Sequence, residues 1–332
     1  MKIKTVQDYL NGEVLLVDKP LHWTSFQVVN KLRWHIRQTF NLKKIKVGHA
    51  GTLDPLATGL LVICTGKMTK QIDTFQGQIK TYTGTLELGG TTPSYDLETA
   101  IASNERTPNY ALRDEYRNPY ETLTFFGIES DMKIVELSPG GGWYTEILAN
   151  YLHEPGHLIA AHFDKNSERA YFKKSRQAFE IKVAEKSMYQ NVSVVDLSSN
   201  LAPEGSVDAV LTFRNLHNWL GPQMDLIFAN SYKALKAGGV FGIVEHRANP
   251  GTSMDAMKKS GYVTEAHAIM VAKKHGFTLV AKSEINANNK DTKDYPKGVW
   301  TLPPNLRLKN VDREKYVDIG ESDRMTLLFK KL

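Results

Sequence analysis

The chain has 332 residues, of which 41% are hydrophobic and 23% charged, and its net charge is +6. That balance excludes a disordered or fibrous protein, and no apolar run approaches the ~20 residues that cross a bilayer. A lone cysteine, Cys64, cannot close an internal disulfide, and the polar start MKIKTVQDYLNGE lacks a secretory signal's apolar stretch, so a cytoplasmic setting and no membrane partner are expected.

The length suggests two domains. Residues 1–102 carry 12 Lys and Arg against 8 Asp and Glu, so the basic excess is concentrated in the shorter segment and hints at an anionic partner such as RNA. In chain order, Val14–Val17 reads as a strand ended by Lys19-Pro20, Phe26–Arg33 as a helix, and Gly59–Cys64 as a buried apolar segment. Thr81–Leu88 alternates as a half-exposed strand does. From Ala102 to Tyr120 the chain turns polar and reads as a linker, dividing the protein into 1–102 and 103–332.

Beyond residue 120, strand-like and helix-like stretches alternate. Lys133–Ser138, Leu158–His162, Val192–Asp196, Val207–Phe213, Val240–Glu245, Phe277–Ile285 and Met325–Phe329 read as strands. Trp143–Leu152, Glu168–Phe179, Gln223–Lys236 and Val263–His275 read as helices, with Gly238-Gly239 as a stop after the third. This alternation predicts an α/β fold with a parallel, doubly wound sheet.

The densest signal in the first hundred residues is Gly48-His49-Ala50-Gly51-Thr52-Leu53-Asp54-Pro55. Two glycines and a proline shape a tight loop that presents the Asp54 carboxylate beside the His49 imidazole, and such a carboxylate can serve as nucleophile or base. Together with Leu16-Val17-Asp18-Lys19-Pro20, Thr24-Ser25, Lys43 through Val47 and Lys80-Thr81-Tyr82, the run resembles the tRNA pseudouridine synthase B family over about residues 12–98. The resemblance implies a partial α+β segment in which Asp54 is the catalytic nucleophile. Tyr82 would pack on the target uracil and help move its proton, and His49 would fill the space of the flipped base. It also implies that Lys19 and Pro20 support the cleft, that Lys43, Lys44 and Lys46 contact phosphates of tRNA, and that no cofactor is needed. Nothing after residue 100 resembles the family's second half, whose arginine pairs with the aspartate. Half a catalytic domain should therefore expose apolar edges.

The second signal is Glu136-Leu137-Ser138-Pro139-Gly140-Gly141-Gly142, between an expected strand and an expected helix. Glycines there let backbone approach a ligand, and a helix N-terminus offers free N–H groups. With Val207-Asp208-Ala209-Val210, Leu235-Lys236-Ala237-Gly238-Gly239, His275-Gly276-Phe277 and Asp323-Arg324-Met325, the pattern resembles class I S-adenosylmethionine-dependent methyltransferases with a Rossmann-like sheet, over about 104–332. The resemblance implies that Gly140 and Gly142 line the methionine end of S-adenosylmethionine and that Glu136 holds their loop. Asp164 would meet the ribose hydroxyls and Asp196 the adenine amine. Asn215, after the fourth strand, joins this cofactor set, while His217 and His246 are the candidate bases at the site's mouth.

His153-Glu154-Pro155-Gly156-His157 spells a zinc-protease string, but that chemistry needs both imidazoles on one continuous helix and Pro155-Gly156 breaks it. No Cys–His cluster points to another metal. The expectation is therefore a fusion: a methyltransferase whose acceptor the residues do not name, led by a synthase-like segment suited to RNA binding and tRNA processing. The alternatives are an active tRNA uridine isomerase and a non-catalytic tRNA-binding module.

Overall fold

The computed structural model describes residues 4–21, 23–54, 57–78, 80–83, 93–152 and 155–332, with backbone alone for 93–96. The chain divides into two compact units, Met1–Leu88 and Gly89–Leu332.

In the first unit, α1 (Val6–Asn11), β1 (Val14–Lys19), α2 (Ser25–Thr39), β2 (Val47–Ala50) and β3 (Gly59–Thr65) precede a 3-10 turn and α3 (Ile72–Gln76). A capping box starts α2: the Thr24 hydroxyl accepts the Gln27 N–H (3.1 Å), and Gln27 accepts the Thr24 N–H (2.7 Å). The three strands pair antiparallel in the order β1-β3-β2. Alternation sends Leu61 and Ile63 of β3 into a core with Val28, Val29, Ile36 and Val47. The opposite face keeps Leu16 and Leu60 at 67% and 63% exposure, and Phe26 stands 60% exposed on α2. A half-domain that buries one face of its sheet leaves such residues to solvent. The strand expected over 81–88 is not found at 81–83, which are irregular, and 84–88 lie outside the described residues.

The second unit opens with α4 (Pro93–Ile101), α5 (Pro108–Ala111), α6 (Asp114–Arg117) and α7 (Pro119–Phe126). The polar stretch expected to be a linker is thus folded into short helices. Thr107 is why it is ordered: its N–H and hydroxyl donate to the buried Glu146 carboxylate at 2.8 and 2.7 Å. Leu97 and Ala100 are buried in the same core as Leu123, Phe126 and Ile147, so the compact units divide at 88/89 rather than at 102/103.

Then follow β4 (Lys133–Leu137), α8 (Trp143–Tyr151), β5 (His157–His162), α9 (Ala170–Glu185), β6 (Val192–Asp196), β7 (Val207–Phe213), α10 (Leu216–Trp219), α11 (Pro222–Ala234) and β8 (Leu235–His246). The unit closes with α12 (Met254–Ser260), α13 (Glu265–Lys274), β9 (Phe277–Ser283), α14 (Arg313–Ile319) and β10 (Arg324–Lys331). The seven strands lie in the order β6-β5-β4-β7-β8-β10-β9. All neighbours are parallel except β10, which runs antiparallel to both β8 and β9, a departure from the wholly parallel sheet expected. Val135, Val210, Phe241 and Leu327 pack on Ile227, Phe228 and Ala272 on one face, and Ile134, Ala209 and Leu211 pack on Leu123 and Ile147 on the other. This is a doubly wound, Rossmann-like sheet. Gly238 and Gly239 do not stop α11; the helix ends at Ala234, and the glycines lie within β8.

Candidate functional site

Strand order reverses between β4 and β7, and doubly wound sheets take ligands in the crevice outside the carboxyl ends at that switch point. The glycine turn follows β4, and Arg214-Asn215 follows β7. The turn passes through Ser138 (φ 50°), Gly140 (φ 60°) and Gly142 (φ 89°) into α8. A Cβ on Gly140 would meet nothing within 4 Å, so the loop faces open space there, whereas on Gly142 it would crowd Phe179 at 3.2 Å. Gly142 is the N-cap of α8 and no side chain caps that helix, which leaves its first-turn N–H groups for a ligand.

Several side chains hold this turn. Asn215 Nδ2 donates to the carbonyls of Leu137 (3.1 Å) and Ser138 (3.2 Å). His162 Nδ1 accepts the Phe163 N–H (2.8 Å), so its proton sits on Nε2 and goes to the Gly140 carbonyl at 3.1 Å. Burial lowers the pKa of that ring and keeps it neutral. The Gly141 carbonyl accepts from Lys182 Nζ (2.7 Å) and the Tyr110 hydroxyl (3.1 Å). Glu136 lies buried beneath and accepts the Thr145 hydroxyl at 2.6 Å, and burial pushes its carboxyl up to about 7. Glu136 therefore reaches α8 through Thr145.

Asp164 and Asp196 stand at the ends of β5 and β6. Asp164 accepts the Ser198 hydroxyl (2.7 Å), and Asp196 Oδ1 accepts from Arg176 Nη1 (2.8 Å) and the Lys165 N–H (3.1 Å). Both carboxylates thus have protein partners.

His217 and His246 come together at the mouth, with ring centroids 5.3 Å apart. Between them lies the fully buried Glu245. Its Oε1 accepts from His217 Nδ1 (3.0 Å) and the His246 N–H (2.8 Å), while Oε2 accepts the Leu216 N–H at the start of α10. The Nδ1 proton of His217 is therefore committed to Glu245, and its Nε2 is left as an acceptor. His246 Nδ1 meets the Ser322 hydroxyl at 2.5 Å. Burial lowers the pKa of His246, helped by His217 and by the nearby Arg214, Arg324 and Arg117. Ligand atoms of His217, Glu245 and His246 lie within 4.8 Å of one another, a spacing a metal ion could bridge, although Glu245 is already occupied by N–H donors.

In the first unit His49 lies on β2 and Asp54 on the irregular stretch that follows the strand. Leu53 is pinned to α2 through Ser25, whose hydroxyl accepts its N–H (2.9 Å) and donates to its carbonyl (3.1 Å). His49 Nδ1 donates to the Gly51 carbonyl at 2.7 Å, and Asp54 projects exposed; Pro55 lies outside the described residues. Lys19 is buried and its ammonium binds the carbonyls of Pro20 (2.9 Å) and Trp23 (2.6 Å), so it ties down the chain after β1. Pro20, Lys43, Lys44, Lys46 and Tyr82 are exposed. Of the zinc-protease string, His153 and Glu154 lie outside the described residues, and His157 begins β5 and bonds Ser193 Oγ at 2.9 Å.

Residues 37–123 match the family model of TruB family pseudouridylate synthase, N terminal domain. A tRNA pseudouridine synthase B from Flavobacterium johnsoniae is 65% identical over 98 residues, which is 29% of this chain and 43% of that protein. One from Bacteroides thetaiotaomicron is 53% identical over 119 residues, 36% of this chain and 48% of the relative. The N-terminal segment is similar to tRNA pseudouridine synthase B. The chain spans less than half the length of these synthases, and the family-model match over 37–123 crosses from the first compact unit into the second. Among solved structures, a SAM dependent methyltransferase from Aquifex aeolicus aligns at 14% identity and a TM-score of 0.46, over 72% of this chain and 100% of its own. A geranyl diphosphate methyltransferase in complex with SAM aligns at 12% identity and 0.47, over 71% and 95%.

The sequence reading missed Glu245 as the partner of His217, and His162 as a brace of the glycine turn. Glu245 could have been suspected from Glu-His after an expected strand; His162 occupies the strand end where an acid was sought. No helix among the described residues is long and apolar enough to cross a membrane.

Proposed function

We propose that the second unit transfers a methyl group from S-adenosylmethionine, with His217 as general base, and that the synthase-like segment contacts RNA. One observation carries the first part: an uncapped glycine turn at the switch point, open at Gly140, shares its sheet edge with a histidine oriented by a buried glutamate. Gly140, Gly142 and the first-turn N–H groups of α8 would hold the methionine end, Asp164 the ribose and Asp196 the adenine. The cofactor supplies an electrophilic methyl on a sulfonium. The chain's task is then to seat an acceptor at ~3 Å from that carbon and to take its proton on His217 Nε2, with Glu245 stabilising the imidazolium.

Calorimetry on the full chain should give a dissociation constant of about 1–100 μM for S-adenosylmethionine, roughly −8 to −5.5 kcal/mol. Gly140→Val should weaken it at least ~10-fold by filling the open face, while its left-handed backbone costs about 1–2 kcal/mol of stability. Absence of any binding heat in the parent would overturn the reading.

The close identity over the Asp54 loop favours a second activity on the same chain, recognition of a tRNA T-loop. A T-loop hairpin should bind, and reversing Lys43, Lys44 and Lys46 to glutamate should lower affinity at least ~10-fold at low salt. Pseudouridine formation that vanishes in Asp54→Asn would raise this unit from RNA contact to isomerase.

A further inference from the structure

Arginines gather at the carboxyl edge of the sheet beyond His246. Arg113 Nε (2.6 Å), Arg324 Nη1 (3.3 Å) and Arg117 Nε (3.5 Å) all meet the Glu321 carboxylate. Arg324, Arg117 and Glu321 are buried at 2%, 3% and 5% exposure. Arg214 joins them from the end of β7. It holds a left-handed backbone (φ 63°), a conformation that strains a residue with a Cβ and recurs at functional sites. Among the described residues no hydrogen bond or ion pair engages its guanidinium. Three guanidinium groups thus share one carboxylate and the fourth, that of Arg214, stands beside them, in a place where each unpaired charge is costly.

Arg117 adds a second, independent mark. Its Nη1 is buried without a hydrogen-bond acceptor and its Nε has only the 3.5 Å ion contact with Glu321, although its guanidinium lies over the Trp143 ring at 4.5 Å. Buried donors of this kind ordinarily have partners, and an arginine fork suits the two oxygens of a carboxylate or phosphate. The cluster also adjoins the proposed base: Ser322, next to Glu321, bonds His246 Nδ1, and the His246 and His217 rings lie tilted with centroids 5.3 Å apart. Depressed pKa values at Arg117 and Arg214, caused first by burial and then by neighbouring arginines, agree with an excess of positive charge.

We propose that Arg117 and Arg214, backed by Arg113 and Arg324, bind the carboxylate or phosphate group of a small acceptor whose reactive atom then lies within reach of His217. This deepens the methyl-transfer reading and rests on it for the word acceptor. The burial of Arg117 and Arg324 favours a small molecule's terminal anion over the continuous backbone of a polymer.

The test is calorimetric titration of the full chain with malonate and with inorganic phosphate, without cofactor, using neutral malonamide as control. Binding of either anion at millimolar concentration or below, with at least ~10-fold loss in Arg214→Gln, supports the subsite; a preference for malonate names a carboxylate and for phosphate a phosphoryl group. Arg214 is the residue to change because it is unpaired and half-buried, and its thermal unfolding reports whether the variant folds. If neither anion binds at tens of millimolar, or Arg214→Gln and malonamide behave as the parent and malonate do, the subsite is wrong. S-adenosylmethionine binding on the same samples separates this failure from failure of the methyl-transfer reading.

Discussion

Replacing Glu245 with alanine is expected to destabilise the second unit by about 3–5 kcal/mol, the cost of stripping a buried carboxylate from the donors built around it. Four groups would lose their acceptor at once: the Leu216 and His217 N–H groups that open α10, the His246 N–H, and the His217 ring. Urea unfolding reads the loss directly. Glu245→Gln keeps the volume and one acceptor oxygen but presents an NH2 to donors, so it should fall between alanine and the parent. Nitrogen NMR of the His217 ring distinguishes positioning from bulk stability. In the parent the proton resides on Nδ1, and in Glu245→Gln the Nε2 tautomer should become prominent while the fold persists. An unchanged tautomer in a folded Glu245→Gln would remove Glu245 from its role.

Acid should expose the arginine cluster in a second way. Burial alone would raise the Glu321 carboxyl, but Arg324, Arg117, Arg214 and Arg113 outweigh it and hold it down to about 2. A carboxyl whose folded pKa lies below its unfolded value contributes stability above the unfolded value, near 4.5, and loses it as pH falls towards 2. A gap of that size corresponds to roughly 3 kcal/mol. The parent should therefore lose about that much between pH 4.5 and 2 from this group, and Glu321→Gln should not. At pH 7 Glu321→Ala leaves the Arg113, Arg117 and Arg324 guanidinium groups without their shared carboxylate, so about 3–5 kcal/mol should be lost. Added malonate or phosphate should restore part of it by occupying the same donors. Unfolding midpoints with and without the anion measure this, and an Ala variant as stable as the parent would show that Glu321 does not balance the cluster.

Much of the second unit was legible in the sequence because periodic patterns report local geometry. Apolar runs such as Val207–Phe213 lie on strands buried on both faces, and the Ser-Pro-Gly-Gly-Gly turn requires the positive φ found at Gly140 and Gly142. The stretch at 102–120 misled because its polar residues have distant partners. Thr107 finds Glu146 and Arg113 crosses to Glu321, contacts that no local pattern announces. Lys19, which the resemblance makes a support of the cleft, is buried with its ammonium on the carbonyls of Pro20 and Trp23, a placement its polar side chain does not announce.

By itself the order of residues determined the alternation of strand and helix, the glycine turn and the Asp54 loop, since each is a matter of short-range sterics and spacing. Only the tertiary structure decided that β10 runs antiparallel between β8 and β9, bringing Glu321, Ser322 and Arg324 to the edge that carries Arg214, His217 and His246. Strand pairing is settled by burial of whole faces and by contacts between residues far apart in the chain, such as Lys330 with Val240 and Thr326 with Ser283. The cation cluster and the Glu245–His217 pair exist because of that pairing, and no window of sequence contains them.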